Sequence, residues 1–142
     1  MDYAIKKSKE NDFSDGLCRS YNNLAEVFEQ RGEYNLALDY YEKSLKLFEQ
    51  IDPHSSVIHV NLLVIALTYG FKAELDLAIE YTEKTLSLLP EGENFNLMLM
   101  KMTLLLNLGH AYFDKGDLDS ALEYFIRNNE ITARGRAKPV SC

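Results

Sequence analysis

Few residues of this chain have the type and spacing that chemistry requires. His110 and Asp114 are four residues apart, so on a helix the carboxylate could orient the imidazole for general base catalysis. The same spacing also gives an ordinary ion pair on a helix surface. No nucleophile and no glycine-rich phosphate loop accompanies the two residues. We therefore predict that the protein is not an enzyme.

Two further groups of residues have ligand types that could bind a metal ion. His54 and His59 are five residues apart, which matches one helix face poorly. The segment from Asp114 to Asp119 places three aspartates around a glycine. It lacks the ligand order and the closing glutamate of a calcium-binding loop, so a turn between two helices explains it better. We predict neither a metal ion nor a cofactor.

Charge and composition exclude several classes of function. The 142 residues include 15 basic and 22 acidic side chains, a net charge of −7. Nucleic-acid binding depends on lysines and arginines that neutralise phosphates, so we expect no nucleic-acid partner. The most apolar run, residues 97–108, is interrupted by polar side chains and is too short to span a bilayer. We expect no membrane partner either.

The two cysteines indicate a compartment. Cys18 and Cys142 show neither the spacing of a disulfide framework nor that of a metal site, which favours a reduced environment. Met1 is followed by lysines and not by the apolar segment of a signal peptide. We expect a cytoplasmic protein.

An internal repeat is the strongest signal in the sequence. A motif of large, small and aromatic residues begins at positions 21, 62 and 105, in steps of 41 and 43 residues. The copies read Tyr21-x-x-Leu24-Ala25-x-x-Phe28, Leu62-x-x-Ile65-Ala66-x-x-Tyr69 and Leu105-x-x-Leu108-Gly109-x-x-Tyr112. A second pair follows each copy: Ala37 with Tyr41, Ala78 with Thr82, and Ala121 with Phe125. A repeat of this length predicts a stack of helical hairpins.

These residues resemble the tetratricopeptide repeat pattern W-x-x-L-G-x-x-Y, followed by A-x-x-x-F and a closing proline. Gly32 and Gly116 match its turn, and Pro90 matches its proline, whereas tryptophan is absent and Ala73 replaces the glycine of the second turn. The spacing matches a long-helix variant of about 42 residues per repeat. The resemblance implies an all-α, right-handed superhelical solenoid of antiparallel helix pairs. It further implies a non-catalytic scaffold whose concave groove binds proteins or peptides.

The predicted organisation is a single domain over residues 1–133. It begins with a half repeat at 1–12, and repeats follow at about 15–51, 55–89 and 94–132. Residues 134–142 are predicted to form a mobile basic tail. In the last helix, Asn128 and Asn129 replace the Ser-Leu or Thr-Leu of the earlier repeats, which predicts a polar outer face at the end of the stack.

The first helices of the hairpins carry the candidate binding residues, because they line the concave side in this family. The second hairpin has an apolar row beside its packing face, and the third has a shorter one. The first hairpin offers polar residues at the corresponding positions. The predicted groove residues are Asn22, Asn23, Glu26, Val60, Leu63, Val64, Leu67, Phe71, Leu99, Met102, Leu106 and His110.

The apolar rows allow three interpretations. They could bind a partner protein or peptide with an apolar face, they could be buried inside the stack, or they could mediate self-association. For a homodimer, Leu118, Leu122 and Ile126 at the open end of the array are the best candidates. The chain could also be a regulatory segment of a larger signalling protein.

Overall fold

The structure is a computed structural model, and it describes the backbone of residues 2–92 and 94–137 and the side chains of residues 13–92 and 94–135. Within these residues the chain forms six α-helices and no strand. The helices are α1 (Asp2–Gln30), α2 (Tyr34–Ile51), α3 (Ser56–Phe71), α4 (Leu75–Leu88), α5 (Phe95–Lys115) and α6 (Leu118–Ala137). The predicted all-α class is therefore confirmed.

The chain divides into two compact units, Met1–Lys72 and Ala73–Cys142. Unit 1 contains the hairpin of α1 and α2 together with α3, and unit 2 contains α4 together with the hairpin of α5 and α6. Each unit therefore holds one complete helix pair of the repeat and one helix of the middle repeat.

In unit 1, small and apolar side chains of the repeat motif bring the helices together. Ala25 of α1, Ala37 of α2 and Ile65 of α3 are fully buried. The Tyr40 ring of α2 stacks on Phe28 of α1, with ring centroids 5.6 Å apart. The start of α3 is capped by Ser55, whose hydroxyl oxygen accepts the Val57 N–H at 3.2 Å.

In unit 2, the core is an apolar cluster of Ile79, Leu108 and Ala111, with Tyr112 and Tyr124 packed against it. Gly109 permits a close approach between α5 and α6. A Cβ atom at this position would lie 2.6 Å from a ring carbon of Phe125. The missing side chain of the glycine therefore makes room for the aromatic ring of α6. This is the packing that the small position of the repeat motif predicts.

The turns between paired helices share one backbone conformation but not one residue type. Gly32 and Gly116 have φ of 77° and 87°, the left-handed region in which glycine has no steric cost. Ala73 has φ of 62° in the turn between α3 and α4. For a residue with a Cβ atom, this conformation costs about 1–2 kcal/mol.

Two predicted boundaries differ from the structure. Helix α1 runs without interruption from Asp2 to Gln30, so the predicted half repeat and the first helix of the first hairpin form one helix. Helix α6 continues to Ala137, so residues 134–137 of the predicted tail are helical, and residues 138–142 lie outside the described part. The single domain over 1–133 stays a prediction.

Candidate functional site

The apolar row of α3 comprises Val60, Leu63, Val64, Leu67 and Phe71, and it lies within an arc of about 100° on the helix. On the opposite side, Leu62, Ile65 and Ala66 are at most 1% exposed. Val60 and Phe71 are 45% and 58% exposed, and the three residues between them are half-buried. The Phe71 ring also stacks on Tyr34 of α2, with centroids 6.0 Å apart. Helix α3 is therefore apolar on two sides, of which only one is fully buried.

The polar face of α1 comprises Asn22, Asn23 and Glu26. The side chains of Asn23 and Glu26 are exposed. Asn22 is half-buried, and its Oδ1 atom is buried and receives no hydrogen bond among the described residues. An amide acceptor and a free carboxylate on adjacent turns suit a polar or basic segment of chain.

One carboxylate connects α1 to both other helices of unit 1. The Tyr41 hydroxyl of α2 donates to Glu29 Oε2 at 3.0 Å, and the Thr68 hydroxyl of α3 lies 3.3 Å from the same oxygen. The Thr68 proton has a nearer acceptor, the Val64 carbonyl at 2.7 Å, so Tyr41 is the main donor. Burial and the negative charge of Glu29 raise the pKa of Tyr41. The carboxylate thus fixes α2 beside α1, and it lies close to the Thr68 hydroxyl of α3.

A second buried polar group holds the same three helices. The Ser44 hydroxyl of α2 donates to the Cys18 carbonyl of α1 at 3.2 Å, and it accepts from the Asn61 side-chain amide of α3 at 3.3 Å. Ser44 and Cys18 are fully buried, and Asn61 is 1% exposed. Burial raises the pKa of the Cys18 thiol, which keeps it protonated and poorly reactive.

The apolar row of α5 comprises Leu99, Met102 and Leu106, and it lies in unit 2. Leu99 and Leu106 are 45% and 38% exposed, and Met102 is half-buried. His110 continues the row one turn later, and its ring meets the Phe125 ring edge-on at 5.3 Å. The α3 and α5 rows belong to different units, so the single groove stays a prediction.

The residues considered for catalysis and metal binding have other contacts. His110 packs against Phe125, and neither it nor Asp114 forms an ion pair among the described residues. In the described part of the chain no three histidine, cysteine or acidic side chains gather in a geometry that could hold a metal ion. None of the described helices is long and apolar enough to cross a bilayer.

The aspartate-rich segment spans the end of α5, the turn after it and the start of α6. Asp117 accepts the Ser120 N–H at 3.1 Å and the Ser120 hydroxyl at 2.8 Å. These bonds lower the pKa of Asp117 because they stabilise its charged form. Its carboxylate is therefore a helix cap, as the interpretation of this segment as a turn predicts.

Sequence reasoning missed a cleft of about 440 Å³ in unit 2, which is lined in part by Lys101, Arg127 and Arg134. Arg127 and Arg134 are seven residues apart, which places them on one face of α6. That spacing was the available signal. Sequence reasoning considered a local cluster of basic residues only in the predicted tail at 134–142.

One prediction for α6 is wrong. Asn128 does not contribute to a polar outer face, because its side chain is only 8% exposed, and its Oδ1 atom receives no hydrogen bond among the described residues. Asn129 is exposed, as predicted. Three large apolar side chains of α6 are also exposed: Leu118, Leu122 and Ile126, at 61%, 59% and 46%.

Comparison with known proteins agrees with this architecture. The chain matches tetratricopeptide repeat models over residues 16–91 and 103–127. It is similar to the crystal structure of BtubC (BKLC) from P. vanneervenii, with a TM-score of 0.78 and 26% sequence identity over 99% of this chain. This chain spans only 57% of that BtubC chain. No protein with a curated description matches the sequence.

A second similar structure is the N-terminal domain of stress-induced protein-1 (STI-1) from C. elegans. It has a TM-score of 0.66 and 18% identity, and the match covers 83% of this chain and 85% of that one. At this identity the likeness supports the fold alone. One family model covers residues 16–91, more than half of the sequence, and the described residues form α-helices that pair as hairpins. The chain therefore belongs to the tetratricopeptide repeat family, whose members are in general non-catalytic scaffolds for protein–protein interaction.

Proposed function

We propose that this scaffold binds a partner segment with an apolar face, either helical or extended, on the α3 row. The observation that carries the proposal is the double apolar character of α3. Its packing side is buried, and the row on the other side ends in Val60 and Phe71, which are 45% and 58% exposed. Solvent contact with such a row is unfavourable, and a partner's apolar side chains would relieve it.

The energy available from this row suits a moderate affinity. Covering a large aliphatic or aromatic side chain completely contributes about 1.5–3 kcal/mol. The residues of the α3 row are already partly covered, so two or three anchors would each contribute the lower part of this range. After the costs of association, this supports a dissociation constant in the micromolar range.

The polar face of α1 would contact the polar or basic flank of the same segment. Glu26 is exposed and forms no ion pair among the described residues. The exposed side-chain amide of Asn23 could accept a backbone N–H from an extended chain. The α5 row, with Met102 at its centre, is a second apolar surface for the same class of partner, because methionine adapts to different shapes.

Charge substitutions in the α3 row test this function. A peptide library would be panned against the full chain, and the affinity of a retained peptide measured by fluorescence anisotropy. Leu63→Asp and Leu67→Asp should each weaken binding at least about tenfold, because a buried carboxylate without a partner is costly. Binding should depend only weakly on salt.

Leu36→Asp is the matched control, since Leu36 is a 43% exposed leucine on α2. It should leave the peptide affinity unchanged. Circular dichroism must show that all three variants keep their helical content. If Leu63→Asp and Leu67→Asp unfold the protein, the α3 row is internal core and the proposal is wrong.

A second candidate function is self-association through α6. Ile79 of α4 packs against Leu108 and Ala111 of α5, whereas Leu122, at the equivalent position of α6, is 59% exposed. Two copies of α6 could cover each other's row of Leu118, Leu122 and Ile126 in a symmetric dimer. Analytical ultracentrifugation should then show a dimer at micromolar concentration and a monomer for Leu122→Asp. A monomer at every concentration would exclude it.

We infer that the scaffold acts without catalysis and in the cytoplasm. Its buried free thiol, Cys18, suits a reducing compartment. Fractionation of cells that express the full-length protein tests the location, and recovery in an oxidising compartment would contradict it.

A further inference from the structure

The cleft of unit 2 lies where the end of α4 and the loop after it meet α5 and α6. Leu86, Leu105 and Ile131 supply apolar walls. Helix α6 lines one side with Arg127, Glu130, Ile131 and Arg134, which follow the spacing of a single helix face. At about 440 Å³ the cleft has room for two or three amino-acid side chains.

The cleft is locally cationic in an acidic protein. Lys101, Arg127 and Arg134 face two carboxylates, those of Glu91 and Glu130, whereas the whole chain has a net charge of −7. Among the described residues, none of the three cations is held in an ion pair. The positive charge of the cleft is therefore available to an anion.

Arg127 is held in place by aromatic rings. Its guanidinium carbon lies 5.4 Å from the centroid of the Tyr124 ring. Tyr124 in turn stacks on Tyr112 of α5, with centroids 5.6 Å apart and planes within 5°. A guanidinium fixed in this way loses little side-chain entropy when its fork binds a carboxylate.

The cleft is separate from the outward row of α5. Lys101 and Leu105 line the cleft, and Met102 and Leu106 belong to the row. Each pair is displaced from the other by one residue, about 100° around the helix. A ligand in the cleft would therefore use a different side of α5 from a partner on the row.

We propose that the cleft binds an acidic segment of a partner protein, with a carboxylate side chain on the cations and a neighbouring apolar side chain against Leu105 and Ile131. This inference rests on the protein-interaction function and adds a second site to it. The apolar walls favour a peptide over a small inorganic anion. With three cations beside two carboxylates, the cleft would neutralise too few phosphates to favour a nucleic acid.

Anisotropy of a fluorescein-labelled acidic peptide, Gly-Ser-Glu-Leu-Glu-Phe-Glu-Gly-Ser, tests the proposal on the full chain. The same peptide with glutamines in place of glutamates is the ligand control. We expect the acidic peptide alone to bind, and its affinity to fall as salt is raised, because exposed charges are screened. The paired substitution Arg127→Glu and Arg134→Glu should weaken binding at least about tenfold.

Glu130→Gln is the matched control, because it removes a competing carboxylate from the same helix face, and it should strengthen binding. If the double reversal alters the circular dichroism spectrum, the milder changes Lys101→Met and Arg134→Gln replace it. Each should then weaken binding of the acidic peptide. Leu63→Asp should leave acidic-peptide binding unchanged, so failure of the α3 proposal is distinguishable from failure here. Equal binding of the two peptides, or full competition by inorganic pyrophosphate at the peptide's own concentration, would overturn the proposal.

Discussion

The hairpin of α1 and α2 in unit 1 and the hairpin of α5 and α6 in unit 2 come from the same repeat but hold their helices by different means. In the first, Tyr41 donates to Glu29 at 3.0 Å. At the equivalent positions of the third repeat both residues are phenylalanine, Phe125 and Phe113. A polar pair in one hairpin thus corresponds to an apolar pair in the other.

The two hairpins also differ at the position of the motif that holds a small residue. Ala25 of α1 is fully buried, and its counterpart in α5 is Gly109, over which the Phe125 ring lies too closely for any Cβ atom. The first hairpin therefore keeps a methyl group and a hydrogen bond, and the third gives up both for a closer aromatic contact.

The buried hydroxyl of α2 completes the contrast. Ser44 makes two hydrogen bonds, one to the Cys18 carbonyl and one from Asn61. Its counterpart in α6, Asn128, is nearly as deeply buried, but its Oδ1 atom receives no hydrogen bond among the described residues. One repeat pattern therefore tolerates either polar pairing or close apolar packing between its helices. It does not require one of them.

Truncation of the central leucine should have the largest effect and should separate the two hairpins. Leu108 is fully buried in unit 2, whereas Leu24, its counterpart in α1, is 42% exposed. Leu108→Ala should lower the free energy of unfolding by about 2–5 kcal/mol because it leaves a cavity. Leu24→Ala should cost less than about 1.5 kcal/mol. Urea unfolding measures both values, and equal losses would mean that the two hairpins share one kind of core.

Filling the glycine position tests the close aromatic contact. Gly109→Val should cost about 1–3 kcal/mol, because its side chain meets the Phe125 ring. Phe125→Leu in the same chain should recover part of this loss, since a smaller side chain leaves room for the valine. Thermal unfolding of the single and double variants measures the coupling. If the losses of the two single variants simply add in the double variant, the strain of Gly109→Val does not come from its contact with Phe125.

The two buried polar positions should respond in different ways to alanine. Ser44→Ala should cost about 1–2 kcal/mol because it leaves the Asn61 amide without its acceptor. Asn128→Ala should cost less, since no hydrogen bond to its Oδ1 atom is lost. Hydrogen exchange would locate each loss in its own unit. If Asn128→Ala lowers the free energy of unfolding more than Ser44→Ala does, other contacts must stabilise the buried Asn128 side chain.

Removal of the Tyr41 hydroxyl should have the smallest effect, about 0.5–1.5 kcal/mol at neutral pH. The pKa of Tyr41 is raised by burial and by Glu29, so the folded state holds this proton more tightly than the unfolded chain. Its contribution is complete at neutral pH and is lost as the pH rises above about 10. In Tyr41→Phe, the decline of stability in alkali should be shallower than in the original chain. If the loss of stability in alkali is the same in both chains, the ionisation of other tyrosines causes it.

The regular part of this fold could be predicted from the sequence. The motif at positions 21, 62 and 105 predicts paired helices, and Gly32 and Gly116 lie at the left-handed turns where the pattern places them. Gly109 is small for the predicted reason, because the Phe125 ring of α6 lies over it, and Ala66 is fully buried. These features recur in the repeat, so each copy supports the structure that is predicted for the other copies.

The features that could not be predicted occur in only one copy of the repeat. Asn128 is polar by type but buried, since burial depends on the neighbouring helix and not on the residue alone. The cationic cleft combines Lys101 of α5 with Arg127 and Arg134 of α6, and no periodic pattern relates the two helices at these positions. The exposed fractions of the α3 and α5 rows likewise depend on the packing of neighbouring side chains and not on the rows alone.

The left-handed conformation of Ala73 has a consequence for protein chemistry. Both equivalent turns use glycine, so among the residues that the structure describes the backbone cost of about 1–2 kcal/mol is retained only at Ala73. Ala73→Gly would remove the steric cost but would also make the unfolded chain more flexible, and the two effects partly cancel. A D-alanine at this position, introduced by peptide ligation, would favour the left-handed conformation without that added flexibility. The turn between α3 and α4 is therefore a suitable site for semisynthesis, because the residue introduced by ligation could stabilise the folded protein.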